Sequence, residues 1–164
     1  MKKHLTFIFL SILTLLNTYV AHSQNYTIVF EDASLKLLCP AKWKIERVLN
    51  EVNITSPDEE ISIYINIIEA NNENEADDIL SYEITKKIQN AELIDEPEIR
   101  RINDLDFYVF EGNGKVHDRI AEFAGAFVPS VNKKMMIIVG GGTSTSLNKY
   151  QKELDMLIFS IQKI

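Results

Sequence analysis

The chain has 164 residues with 17 basic and 24 acidic side chains, a formal net charge of −7 and 46% hydrophobic residues. This length suits one domain of ordinary size that can bury a core without covalent cross-links. The negative charge disfavours binding to nucleic acid and to anionic lipid surfaces. The single cysteine excludes an intramolecular disulfide.

The first 23 residues have the pattern of a cleavable signal peptide. Lys2 and Lys3 precede an apolar run, residues 5–16, which is shorter than the roughly 20 residues that a membrane-spanning helix needs. Ala21 and Ser23 are small residues of the kind that a signal peptidase recognises, so we expect cleavage between Ser23 and Gln24. Loss of this segment leaves 15 basic against 24 acidic residues, a net charge of −9. The sequence therefore predicts export to the periplasm or out of the cell, with residues 24–164 as a single domain that contains no integral membrane segment.

Strand patterns and one helix pattern follow in the first part of this domain. Alternating apolar side chains separated by turn residues predict strands over residues 26–30, 34–39, 44–49, 52–55 and 61–68. Apolar residues at three- and four-residue spacing then predict an amphipathic helix over residues 75–90. Asn74 is in position to cap its start, and Lys86 and Lys87 suit its negative end.

Four more strands and a second helix are predicted in the rest of the chain. The strands cover residues 98–102, 105–111, 119–128 and 133–139, with turns at residues 103–104, 112–114 and 129–132. Such short connections make neighbouring strands antiparallel. Residues 140–142, all glycine, are expected to leave the sheet at positive φ, and residues 143–146 supply caps for a helix whose apolar stripe runs from Leu147 to Ile161. The predicted fold class is α+β: a central antiparallel sheet of about six to eight strands with two amphipathic helices packed on it.

Three single residues invite a chemical interpretation. Cys39 alternates with Leu35 and Leu37 on an apolar strand, which favours a buried, unreactive thiol. Trp43 is interpreted as a core aromatic rather than a ligand platform. His117 is the one histidine left after cleavage, and its place beside a predicted hairpin turn favours a solvated residue over a catalytic one. We therefore predict no catalytic residue and no zinc site made of several Cys and His ligands.

An acidic segment in mid-chain supplies the weak candidates for a binding site. Its carboxylates are Glu69, Glu73, Glu75, Asp77 and Asp78. A calcium loop needs six to eight oxygens at defined spacing, commonly with a glycine at the sharp turn, and this segment has neither the spacing nor the glycine. A solvated loop whose acids stabilise a helix N-terminus is the favoured interpretation, and no metal or cofactor is predicted.

The order of elements resembles the PsbP-like superfamily, which includes DcrB-like exported α+β domains. The resemblance rests on an opening hairpin followed by Pro40-Ala41-Lys42-Trp43, a helix after an isoleucine-rich strand, a run of antiparallel strands, and Phe159-Ser160-Ile161 near the end of the last helix. It covers roughly residues 26–161. It implies a central antiparallel sheet between helices, in proteins that mostly bind other macromolecules and are not generally enzymes, and it transfers no specific partner.

Two functional hypotheses follow. The first is an exported, non-enzymatic binding or accessory protein that recognises a protein or an envelope component through one face of its sheet or through its loops. The alternative is a periplasmic protein that binds a small molecule or calcium, or a hydrolase that uses carboxylates of the acidic segment. The alternative predicts a pocket with convergent polar groups.

Overall fold

The computed structural model describes residues 24–94, 96–116 and 118–164. The predicted signal peptide, which ends at Ser23, lies outside the described residues. His117 also lies outside them. The described chain begins with a hairpin of β1 (Tyr26–Phe30) and β2 (Leu35–Cys39), joined by a short 3-10 turn. The last strand, β11 (Gln162–Lys163), pairs with β2, so the two ends of this part of the chain build a separate three-stranded sheet.

Eight strands form the main sheet, and all of their pairings are antiparallel. In chain order they are β3 (Lys44–Val48), β4 (Glu51–Thr55), β5 (Ile61–Glu69), β6 (Gln89–Leu93), β7 (Glu98–Ile102), β8 (Leu105–Val116), β9 (Arg119–Pro129) and β10 (Lys134–Gly142). Their order across the sheet is β3-β4-β5-β10-β9-β8-β6, and β7 pairs with the other half of β8. Together with the helices described next, this confirms the predicted α+β class and its central antiparallel sheet.

The first helix, α1 (Glu73–Lys87), differs from its prediction at both ends. It begins earlier because the side chain of Asn72, and not Asn74, accepts a hydrogen bond from the Glu75 amide, at 3.0 Å. It ends earlier because residues 89–93 leave the helix and pair with β8. The strand β6 was therefore missed, and the predicted helix boundary at residue 90 was wrong.

The predicted final helix is two helices, α2 (Ser144–Lys149) and α3 (Gln151–Phe159). Thr143 caps α2 by accepting a hydrogen bond from the Ser146 amide at 3.2 Å. Tyr150 interrupts the helical backbone with φ −104° and ψ 13°. Its buried ring packs in a T-shaped pair with Trp43, with the ring centroids 5.5 Å apart, so the break places an aromatic side chain in the core.

The two faces of the main sheet carry two separate apolar cores. Side chains such as Tyr64, Phe127 and Ile137 point to the face that α1 covers, which we call the α1 face. Alternate residues, such as Ile63, Val128 and Ile138, point to the opposite face, where they pack with the three-stranded sheet, α2 and α3. We call this second side the C-terminal face. The period of two in β5 thus separates the two cores, as strand geometry requires.

Two glycine-rich segments, predicted as a turn and as the point where the chain leaves the sheet, are parts of strands in the structure. Residues 112–114 lie inside β8, residues 140–142 end β10, and no described glycine has positive φ. A Cβ atom on Gly112 would lie 2.4 Å from the carbonyl oxygen of Glu92 and 2.5 Å from Cζ of Phe123. The glycine is needed because β6 and an aromatic ring approach the backbone closely, and the prediction of a positive-φ role at residues 140–142 was wrong.

A candidate binding groove beside the C-terminal helices

A groove of about 560 Å³ lies on the C-terminal face, between the main sheet and the pair of helices α2 and α3. This volume is within the range of pockets that bury most of a small ligand. The strands β5, β10, β9 and β8 supply the floor, and the helices supply one wall. Its apolar lining consists of Ile61, Ile63, Ile94, Ile102, Phe107, Val109, Gly112, Phe123, Ala124, Gly125, Ala126, Ile138, Gly140, Gly141, Leu147, Leu154, Ile158 and Phe159.

Small residues at paired positions give the groove its depth. Ala124 on β9 lies directly opposite Gly140 on β10, and Ala126 lies opposite Ile138. The neighbouring strand places Ile63 beside Gly140. Larger side chains at positions 124 and 140 would occupy part of this space, whereas an alanine and a glycine leave it open. Ala124 is exposed although it lies in the middle of a central strand.

The helical wall is tied to the sheet at the junction of its two helices and at its C-terminal end. Lys149, at the end of α2, donates a hydrogen bond of 2.7 Å to Asp58 in the β4–β5 turn. The amide group of Asn103, in the β7–β8 turn, donates to the carbonyl oxygens of Phe159 at 2.6 Å and of Ile161 at 2.9 Å. These contacts satisfy one carbonyl at the end of α3 and one just after it, neither of which a helical amide reaches. The helical wall of the groove is therefore fixed to the sheet at two points.

The Asp58 carboxylate is held in its charged form by several donors. Lys149 lowers the pKa of Asp58 most, and donation from the Ser56 hydroxyl, at 2.8 Å, lowers it further. The amide of Glu60 also donates to this carboxylate, at 3.3 Å. Asp58 thus orders the β4–β5 turn and joins it to α2.

Charged side chains of the groove are confined to its rim, and most of them have protein partners. Arg100 pairs with Glu98 and with Glu111, the latter at 2.8 Å. Glu122 accepts a hydrogen bond from the Ser144 hydroxyl. The remaining charged lining residues are Arg101, which lies 3.6 Å from carboxylate oxygens of two neighbouring aspartates, and the exposed Asp155.

Apolar side chains are exposed at the mouth of the groove. Ile94 is 56% exposed and Phe159 is 60% exposed, and both line the cavity. Exposed apolar residues that are contiguous with an apolar cavity indicate a binding surface more strongly than scattered ones do. The mouth therefore extends the apolar lining out to solvent.

The acidic residues that the sequence suggested do not converge on a site. Glu69 pairs with Lys134, and Glu73 accepts a hydrogen bond from the Tyr108 hydroxyl. Glu75 accepts hydrogen bonds from the backbone amide of Asn71, at 2.8 Å, and from its side chain, at 3.0 Å. The pKa values of Glu69 and Glu75 are lowered by these donors.

The last two acidic candidates lie on α1, where Asp77 is half-buried and Asp78 is exposed. None of the five acidic residues lines the groove. Across residues 24–94, 96–116 and 118–164, no three His, Cys, Asp or Glu side chains are grouped so that they could hold a metal ion.

A smaller cavity of about 320 Å³ lies on the α1 face, near the end of the sheet where β10 finishes. Lys87 lies over the ring of Tyr64 there, with its Nζ atom 3.7 Å from the ring centroid. Burial, followed by the nearby Glu83, raises the pKa of Tyr64 to about 12. This cavity is more polar than the groove and has little more than half its volume.

Cys39 and Trp43 lie where the sequence predicted them. Both are buried in the core of the C-terminal face, and burial raises the pKa of the Cys39 thiol to about 11. The groove itself was not predicted. Its signal in the sequence is the run Ala124-Gly125-Ala126 and the glycines that follow Val139, small residues within strands whose other inward positions are bulky.

No protein-family model matches this sequence, and no curated protein matches it. The structure is similar to several solved structures. Cyanobacterial PsbP (CyanoP) from Synechocystis superposes with a TM-score of 0.65 at 14% identity, covering 89% of this chain and 96% of that one. A protein from Bacteroides thetaiotaomicron superposes with a TM-score of 0.58 at 12% identity, covering 86% of this chain and 49% of that protein.

A third solved structure is LpqN, which is involved in cell envelope biogenesis of Mycobacterium tuberculosis. It gives a TM-score of 0.55 at 10% identity, covering 85% of this chain and 90% of LpqN. At such identities the likeness concerns the fold alone. Among the described residues, no helix has the length and apolar character that crossing a membrane requires.

Proposed function

We propose that this chain, whose fold is PsbP-like, is an exported, non-enzymatic binding protein that recognises an envelope component through the groove on its C-terminal face. The observation that carries the proposal is the open apolar space over Ala124 and Gly140, between the main sheet and α3. An unfilled apolar groove with exposed apolar residues at its mouth is what a binding site requires.

The residues of the groove favour binding over catalysis. The described residues that line the groove include no serine, threonine, cysteine, histidine or lysine. The usual pairs of a nucleophile and a base are therefore absent from the described lining. The hydrolase alternative relied on carboxylates of the acidic segment, and Glu69, Glu73 and Glu75 each bond to a separate neighbour. These observations support a binding role.

Export is supported by the sequence pattern of residues 1–23. The fold shared with LpqN, a protein involved in cell envelope biogenesis, agrees with a role in that compartment. The protein purified from the envelope or the medium should begin at Gln24, as intact mass measurement would show. A mass that includes residues 1–23 would contradict cleavage at this site.

Photo-crosslinking in the native cell tests the groove. A photoreactive amino acid at position 124, on the floor, is expected to trap an envelope component. The matched control is position 62, because Ser62 is exposed on β5 but lines the cavity of the α1 face instead. Equal trapping at both positions, or trapping at position 62 alone, would contradict the proposal.

A further inference from the structure

We infer that the groove takes the hydrocarbon chain of an amphipathic envelope molecule whose head group carries no net negative charge and stays at the rim. This inference rests on the proposed function and names the class of ligand. It follows from three features of the groove: the hydrogen-bonding capacity of its floor, the pairing of its backbone groups and the charges around its rim.

The floor offers no side-chain partner for a polar ligand group. Its central residues are Ile63, Val109, Ala124, Ala126 and Ile138, none of which donates or accepts a hydrogen bond. A polar group placed on this floor would lose its water without gaining a partner, which is unfavourable. The part of the ligand that enters must therefore be apolar along its length.

The backbone of the floor is already paired, which disfavours an extended peptide. The strands β5, β10 and β9 each have a hydrogen-bonded neighbour on both sides, and β8 has β9 on one side with β6 and β7 on the other. Beyond their first turns, the helices α2 and α3 use their amides internally. A peptide strand in the groove would bury its own amides without partners, whereas a hydrocarbon chain has none to satisfy.

The rim disfavours an anionic head group. Its two arginines are outnumbered by three acids, Glu111, Glu122 and Asp155. Arg100 already has two carboxylate partners, and Arg101 lies beside two aspartates. An anionic head group would find no cation in this lining without a carboxylate beside it, and it would also meet the negative charge of the whole chain. Polar but uncharged groups can bond to the rim without this cost.

The experiment uses alkyl maltosides as probes below their micelle concentrations. The exported protein, purified without detergent, is titrated with octyl, decyl and dodecyl maltoside by calorimetry. Burial of hydrocarbon predicts that affinity rises by about fourfold for each added methylene group. Dodecanoate, which has a similar chain and a charged head, is expected to bind at least tenfold more weakly than dodecyl maltoside.

Two variants locate the probe. Ala124→Leu fills the floor at an exposed position and should weaken dodecyl maltoside binding at least tenfold. Ser62→Leu adds a similar bulk at an exposed position on the opposite face and should leave binding unchanged. If Ala124→Leu lowers the melting temperature, Ala124→Ser replaces it, because a hydroxyl on the floor adds little bulk and should still weaken binding several-fold.

Three results would overturn the inference: no maltoside binding to the unaltered protein, affinity that does not depend on chain length, or unchanged binding in the position-124 variants. Tighter binding of dodecanoate than of dodecyl maltoside would overturn the exclusion of an anionic head group. If the maltosides fail while position 124 still traps an envelope component in the cell, the hydrocarbon inference is wrong and the proposed function stands. If position 124 traps nothing, the proposed function itself is contradicted.

Discussion

Cys39 lies among apolar side chains at the end of β2 and is fully buried. Its burial was predictable because Leu35, Leu37 and Cys39 alternate on one face of a strand, and strand periodicity needs only local sequence. The surroundings of Asp58 were not predictable in this way. Its partner Lys149 is 91 residues away along the chain, and only the folded arrangement brings the two together.

The buried thiol should be chemically inert in the native protein. Burial raises the pKa of Cys39 to about 11, so the reactive thiolate is scarce at neutral pH and the reagent has no access to it. Iodoacetamide at pH 7.5 should leave the native protein unmodified over hours and label it in guanidinium chloride, as measured by mass spectrometry. If the native protein were labelled as fast as the denatured protein, the burial of Cys39 would be contradicted.

The Asp58 contacts predict an acid-sensitive contribution to stability. Because the pKa of Asp58 is lower in the folded protein, its carboxylate stabilises the fold above the unfolded pKa of about 3.9, and this stabilisation is lost as the pH falls towards the folded value. Asp58→Asn should therefore lower the free energy of unfolding at pH 7 and change it less at pH 3. Urea unfolding at both pH values measures this, with Asp78→Asn, at an exposed site on α1, as the control. A loss that is equal at the two pH values would rule out the charge of Asp58 as its cause.

At the level of elements, the strands were predicted better than the segments between them. The alternation of apolar and polar side chains predicted β5, β7, β9 and most of β10. Residues 112–114 were predicted to form a turn because Gly-Asn-Gly is typical of one. In the structure β8 continues through them, since β6 packs against this stretch and leaves no room for a side chain at Gly112. Turn propensity is local, whereas the approach of β6 depends on tertiary packing, which overrides it.

The two kinds of glycine should respond differently to substitution. Gly112→Ala would place its Cβ atom 2.4 Å from a backbone oxygen of β6, so we expect a loss of roughly 1–3 kcal/mol in the free energy of unfolding. At Gly140 the nearest atom to an added Cβ is Cγ1 of the Ile63 side chain, at 3.3 Å. Gly140→Ala should therefore change stability by less than about 1 kcal/mol. Urea unfolding of the pair tests this, and an equal loss in both would argue against the close approach of β6 to β8.

At the level of the whole molecule, the sequence predicted the α+β class and a likeness in fold to PsbP-like proteins, and both are confirmed. It did not predict that the two ends of residues 24–164 form a second sheet, because the pairing of β11 with β2 joins residues more than 120 positions apart. The groove was missed for the same reason. Its floor depends on the register that sets Ala124 beside Gly140, and its wall depends on how α3 crosses the sheet.

The central claim is that the groove over Ala124, and not the acidic segment, is the binding surface. Methyl-labelled protein titrated with a lipid extract of its native envelope tests this most directly, because each methyl signal reports its own surroundings. We predict that the methyl signals of Ala124, Ala126, Ile138 and Ile158 shift together in a saturable manner, while those of Ala76 and Ile79 on α1 stay in place. Shifts confined to α1, or none at saturating extract, would contradict the claim.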